Sequence, residues 1–154
     1  MIIIKPDLQV KEIFLAGPIQ GAPDWQNEVA KRLYDKNVIL YSPKRHDDQN
    51  FDYNEQVDWE TEHLTNADII VFYLAKEKDA IPGRSYAQTS RFELGENLAR
   101  IKYTNAKQKV VIFCDKAFHG KTYIKEKAIS ELYKDFTFFF DNKDAFYAKL
   151  NQLI

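Results

Sequence analysis

The feature that most constrains this chain is a repeated alternation of short apolar runs with longer helical segments. The runs are Glu12–Ala16, Val38–Tyr41, Asp68–Leu74, Val110–Cys114 and Phe136–Phe140. They are continuous rather than alternating, and rich in Ile, Val and Phe. Strands covered on both faces read this way. The segments between them supply the covering helices. Asp24 is placed to cap a helix predicted to reach about Asp35, with Trp25, Val29 and Leu33 on one face. Further helices are predicted from Asn54 or Glu55 to Ala67, from Ser90 to about Tyr103, from about Thr122 to Tyr133, and from Asp141 or Asn142 to the C-terminus. Five strand–helix units in succession predict an α/β fold, a five-stranded doubly wound parallel sheet with right-handed crossovers. No internal repeat or low-complexity linker divides the chain, so residues 1–154 are expected to form a single domain.

Composition narrows the function classes. The 22 basic and 23 acidic residues nearly cancel, which argues against a partner as highly charged as long nucleic acid. A single cysteine, Cys114, excludes a disulfide framework and fits a reducing, cytoplasmic setting. No apolar run approaches the ~20 residues of a membrane helix. The opening Met1–Pro6 has no cationic stretch ahead of its apolar residues, so neither a signal peptide nor a membrane partner is expected. His46, His63 and His119 lack metal-ligand spacing, so no metal site is expected. Cys114 has no evident base and reads as a small buried hydrophobe. No phosphate-binding P-loop, serine-hydrolase elbow or dinucleotide fingerprint is present.

In doubly wound sheets, ligands sit beyond the carboxyl ends of the strands. After the first run comes Gly17-Pro18-Ile19-Gln20-Gly21-Ala22-Pro23, a rigid turn that lets a ligand approach the backbone, or a plain strand–helix turn. After the second comes Ser42-Pro43-Lys44-Arg45-His46, where Arg45 offers a planar fork to a base edge or phosphate, or belongs to a solvated charge cluster. After the third comes a long loop, Ala75–Thr89, carrying Ile81-Pro82-Gly83-Arg84-Ser85-Tyr86 and of a length typical of lids and binding loops.

Two carboxylates stand out. On a helical wheel Val57, Thr61, Leu64 and Ala67 form the predicted inward stripe of the second helix, and Glu60 falls inside it. A carboxylate there is either a buried structural ion pair or an acid of raised pKa at a cleft. Glu93 lies three residues after Ser90, the spacing of a capping box. The same place also suits catalysis, because the positive end of a helix keeps a carboxylate ionised. Gly95, inside the same helix, points to a close approach by a backbone or ligand.

Several segments together resemble the nucleoside 2-deoxyribosyltransferase family and its N-glycosidase relatives. They are Phe14-Leu15-Ala16-Gly17-Pro18-Ile19, Trp25-Gln26, Ser42-Pro43-Lys44-Arg45, Gln56-Val57-Asp58-Trp59-Glu60, Ala67-Asp68-Ile69-Ile70 and Ser90-Arg91-Phe92-Glu93-Leu94-Gly95. The resemblance implies a flavodoxin-like sheet of order 2-1-3-4-5 and cleavage of an N-glycosidic bond without metal or organic cofactor. It implies Glu93 as nucleophile and Glu60 as the acid assisting at base or sugar. It implies a base pocket lined by Gly17, Pro18, Ile19, Gln20 and Arg45. Trp25 and Asp58, within matching segments, and Tyr86, in the long loop, are further candidate substrate contacts. Where family members carry an Asp six residues before the nucleophile, this chain has Ala87, which implies a different sugar preference. Subunits of the family complete each other's sites, which implies a homo-oligomer, a dimer or larger. The 14% aromatic content points the same way.

Three functions follow as expectations. The first is transfer of 2-deoxyribose between nucleobases through a glycosyl-Glu93 intermediate. The second is hydrolysis of a nucleoside or nucleoside 5′-monophosphate at the same site. The third is a non-catalytic nucleotide-binding or sensor role, which the fold alone would permit.

Overall fold

In the computed structural model, which describes residues 9–44 and 52–154, all ten anticipated elements are present. In chain order they are β1 (Lys11–Ala16), α1 (Trp25–Arg32), β2 (Val38–Tyr41), α2 (Tyr53–Asn66), β3 (Ile69–Leu74), α3 (Gln88–Thr104), β4 (Lys109–Cys114), α4 (Lys121–Ala128), β5 (Thr137–Phe140) and α5 (Lys143–Leu153). Every strand pairing is parallel and the order is β2-β1-β3-β4-β5. The expected doubly wound sheet is therefore the fold of this chain.

The continuous apolar runs are explained by two cores. All six residues of β3 are buried. Ile70, Phe72 and Leu74 enter one core with Leu64 and Ala67 of α2's end, Leu94, Leu98 and Ile101 of α3, and Ala128 of α4. Ile69, Val71 and Tyr73 enter the other with Trp25 and Val29 of α1 and Phe146 and Leu150 of α5. The period of two along a strand deals successive residues to opposite faces.

Helix ends depart from expectation where side chains make unforeseen choices. Helix α1 stops at Arg32, short of Asp35, and Asp24 precedes it without a capping hydrogen bond. Its carboxylate is held by Asn27 and Lys44 instead. Helix α2 starts earlier because the Asp52 carboxylate accepts from the Asn54 amide. Helix α4 ends at Ala128, well before Tyr133.

The switch point of the sheet, where the connections from β1 and β3 diverge, is set by close packing. At the end of β1, Gly17 has φ +154°, and a Cβ built on it would lie 2.5 Å from the Tyr73 carbonyl oxygen and 2.8 Å from the Trp25 ring. Trp25 is 1% exposed and stacks on Tyr73 with ring centroids 5.0 Å apart. Its indole N–H donates to the Pro18 carbonyl at 2.8 Å, so the ring fixes the turn from beneath. Gly17→Ala should lower the unfolding free energy in urea by about 2 kcal/mol or more, from overpacking against backbone. Gly83→Ala is the control. Gly83 also has positive φ, but its Cβ would meet nothing within 4 Å, so only the backbone cost of about 1–2 kcal/mol is expected.

Candidate active site

The two carboxylates singled out in sequence meet. Glu60, midway along α2, and Glu93, in the second turn of α3, lie within hydrogen-bonding reach of each other. Burial, first, and the charge of Glu60, second, push the Glu93 carboxyl up from its ordinary 4.5 to about 8, with a smaller push from Glu96. Gln56, one turn before Glu60, donates its side-chain amide to the Glu60 Oε1 at 2.6 Å. A negative charge on Glu60 therefore makes a second charge on Glu93 costly.

This arrangement corrects three expectations. Helix α3 begins at Gln88, two residues before Ser90, and its N-cap is Ala87 in the left-handed region at φ 59°, with no side-chain cap. Ser90 is thus a buried helical residue and Glu93 is no capping-box partner. Glu93, expected from its place near a helix start to be kept ionised, instead has its carboxyl pushed up. Glu93 sits a turn beyond the first exposed amides, so desolvation and a like charge outweigh the dipole. The inward face of α2 is also rotated. Val57 is 43% exposed, and the helix turns Gln56, Trp59, Glu60, His63 and Leu64 inward. The aromatic residues decide this: Trp59 packs near Phe14 and Tyr41, and His63 lies between Tyr41 and Trp59 with ring centroids 4.3 and 4.4 Å away.

The remaining candidates differ in placement. Gly17 and Pro18 form the packed start of the β1–α1 turn, and Ile19 and Gln20 are its exposed part. Trp25 is closed off from solvent under that turn, on the α1 and α5 side of the sheet, opposite the carboxyl pair. Asp58 is exposed and lies about 200° round α2 from Glu60. Arg45 lies outside the described residues. Tyr86 is half-buried, and its hydroxyl donates to the Ala75 carbonyl at 2.8 Å, joining the two ends of the long loop. Between them, residues 76–85 are all exposed. Two amides of this loop, those of Lys78 and Asp79, donate to the Gly21 carbonyl at 2.7 and 3.1 Å, so it rests on the β1–α1 turn. Gly95 faces open space rather than a close neighbour. The Cys114 thiol is buried and pushed up to about 12, as an inert core group would be. Among the described residues no group of three or more His, Cys, Asp or Glu could hold a metal ion.

Sequence reasoning missed the polar residues behind the pair. Asn97, buried, donates to the Glu93 carbonyl at 2.8 Å, and Arg100 and Gln108 continue from it. An Asn one turn after Glu93, on the face that also carries Leu94 and Ile101, was the available signal.

A family profile described as nucleoside 2-deoxyribosyltransferase like matches residues 10–118. The chain belongs to that family. The matched span of this deoxyribosyltransferase-like chain includes both glutamates, the β1–α1 turn and the long loop. Two solved structures share its fold. One is a conserved protein from Enterococcus faecalis V583, with 16% identity over 95% of this chain and 100% of that one, at TM-score 0.59. The other is a 2-desoxiribosyltransferase from Leishmania mexicana, with 19% identity over 92% and 97%, at TM-score 0.55. No curated protein matches the sequence. Among the described residues no helix is long and apolar enough to cross a membrane.

The carboxyl pair has a measurable consequence for stability. Glu93 holds its proton more tightly folded than unfolded, so the unfolded chain releases it first as pH rises. Its contribution is therefore fully present below about pH 4.5 and is lost as pH climbs to about 8. Urea unfolding across that window should show falling stability. In Glu93→Gln the fall should flatten, with the variant the more stable protein at pH 8.

Proposed function

We propose that the chain transfers 2-deoxyribose between nucleobases, with Glu93 as nucleophile and Glu60 as acid and base. The observation that carries this reading is the meeting of the Glu60 and Glu93 carboxyls within hydrogen-bonding reach, one from α2 and one from α3. Glycosyl transfer with retention needs one carboxylate and one carboxylic acid at the same bond, and two carboxyls in hydrogen-bonding reach, one of them pushed toward its protonated form, can supply both.

The steps balance within the pair. Moving the proton across the hydrogen bond leaves the charge on Glu93 and the proton on Glu60. The Glu93 carboxylate attacks C1′ as the C1′–N bond breaks, and the departing base takes the proton from Glu60. The sugar is then an ester of Glu93. An incoming base attacks C1′ through nitrogen, Glu93 leaves as carboxylate, and Glu60 receives the proton released by the new base. The β1–α1 turn from Gly17 to Gln20, with Arg45, is the proposed base-binding wall, and Tyr86 holds the loop that covers the site. Trp25 supports the turn from below. Asp58, on the outer side of α2, is a substrate contact only for a group reaching past the helix or for a neighbouring subunit. The reaction as written calls on no metal or organic cofactor, and nucleosides and nucleobases are the partners.

Hydrolysis is the second reading: residues 76–85 face solvent, and water that reaches the ester takes the sugar in place of a base. Incubation with deoxyadenosine and cytosine, followed by chromatography, separates the readings. Transfer yields deoxycytidine, hydrolysis yields adenine without deoxycytidine, and a binding protein yields neither. The same assay with deoxynucleoside monophosphates tests the phosphorylated substrates. In Glu93→Ala the rate should fall by about 10³-fold or more, and in Glu60→Gln by about 10²–10⁴-fold. The wild-type rate should decline above about pH 8, where the Glu93 carboxyl gives up its proton and none is left to pass to the departing base.

A homo-oligomer is part of the same reading. Phe92, next to Glu93, is 73% exposed, and Tyr103 and Tyr123 are 74% and 70% exposed. Tyr133 is half-buried against Phe136 and is not part of that surface. Sedimentation at micromolar concentration should give a dimer or larger species. A fully active monomer at nanomolar concentration would refute a shared site.

A further inference from the structure

We propose that Arg100 and Gln108 are positioning residues that fix the separation of the Glu60–Glu93 pair by clamping the C-terminal turn of α2 to α3. The proposal rests on the reading of those glutamates as the reacting pair.

The last carbonyls of a helix have no partner within it and must find one elsewhere. Helix α2 ends abruptly, with Ala67 already extended at φ −61° and ψ 145°. Gln108, buried in the turn before β4, donates its side-chain amide to two of these carbonyls, Leu64 at 2.8 Å and Ala67 at 2.6 Å. Its own carbonyl accepts from Arg100 at 2.6 Å. The same Arg100 nitrogen reaches the Leu64 carbonyl at 3.2 Å and the Asn97 Oδ1 at 3.0 Å. Asn97 donates back to the Glu93 carbonyl at 2.8 Å.

The chain of bonds therefore runs from the backbone of Glu93, through Asn97, Arg100 and Gln108, to α2. Its two anchor points are significant. Leu64 lies one helical turn after Glu60, and Asn97 one turn after Glu93. The clamp thus joins the turns that directly follow the two carboxyls. When both are ionised they repel, and Glu96 adds a third negative charge acting on Glu93. Without a tie the helices relax apart, and reacting groups displaced by about 1 Å lose much of their rate. A polar network built on the buried Asn97 and Gln108 resists that displacement better than apolar contact, because separating it strands their donors and acceptors in the core.

The test uses Gln108→Leu, which keeps volume and removes the donors, and Arg100→Lys, which keeps charge and at most one of the bonds. Both are checked for native circular dichroism. Two readouts follow. One is the carboxyl titration of carbon-13-labelled glutamate in the free protein. The other is kcat and KM for transfer. In Gln108→Leu the raised titration of Glu93 should move down toward the ordinary carboxylate range. There kcat should fall about tenfold or more, with KM changed less than about twofold. Arg100→Lys should lie between Gln108→Leu and the wild type. Folded variants with wild-type titration and wild-type kcat would overturn the proposal and leave the network a plain helix cap. Should Gln108→Leu not fold, Gln108→Asn, whose amide falls short of Ala67, takes its place. A wild type that makes neither transfer nor hydrolysis product would sink the proposed reaction. The titration would still decide whether the clamp sets the spacing.

Discussion

Burial of β3 on both faces is the constraint on which the rest depends. One six-residue strand contributes alternate side chains to two separate cores, so it must be central and both faces must be roofed by helices. That requirement sends α1 and α5 to one side and α2, α3 and α4 to the other. It also places the parting of the chain directions between β1 and β3. Trp25 and Tyr73 fill the space at that parting so tightly that only glycine fits at position 17. The turn is rigid because aromatic rings on one side of the sheet support it, while the charged chemistry lies on the other.

The carboxyl pair is the opposite kind of feature. Nothing in the fold requires two acids to be within hydrogen-bonding reach of each other in a half-buried cleft, and both desolvation and mutual repulsion disfavour it. The surrounding polar residues offset part of that cost. Gln56 satisfies one oxygen of Glu60, and the network behind Glu93 ties the two helices together. A site organised this way keeps a proton available near neutrality through geometry alone, without calling on a histidine.

Much of this was legible in the sequence, and the parts that were not share a cause. The strands announced themselves because their apolar runs are uninterrupted. Glu60 and Glu93 could be singled out because one interrupts an apolar stripe and the other sits where a strand gives way to a helix. The face of α2 was misjudged because a wheel treats Val57 as more apolar than His63. In the fold, a histidine packed between Tyr41 and Trp59 is the better-buried side chain. The start of α3 was misjudged because Ser90 and Glu93 imitate a capping box. Nothing in an alanine at position 87 signals a left-handed cap. Of the polar network only Asn97 left a sign, one turn after Glu93, while Arg100 and Gln108 acquire meaning only when helix ends distant in the chain are brought together. Likewise, proximity of the two acids is a tertiary fact, and the direction of the charge perturbation on Glu93 follows from it.

The long loop is joined at its base and seated along its length. Its two ends are tied by the Tyr86 hydroxyl on the Ala75 carbonyl, and its first part rests on Gly21. Everything between is exposed to solvent, so its residues contribute little to either core. The loop therefore behaves as a replaceable cartridge. Its length and lettering can drift through insertion or exchange at a closure cost of only about 0.6 kcal/mol per doubling, while the sheet and its two cores stay as they are.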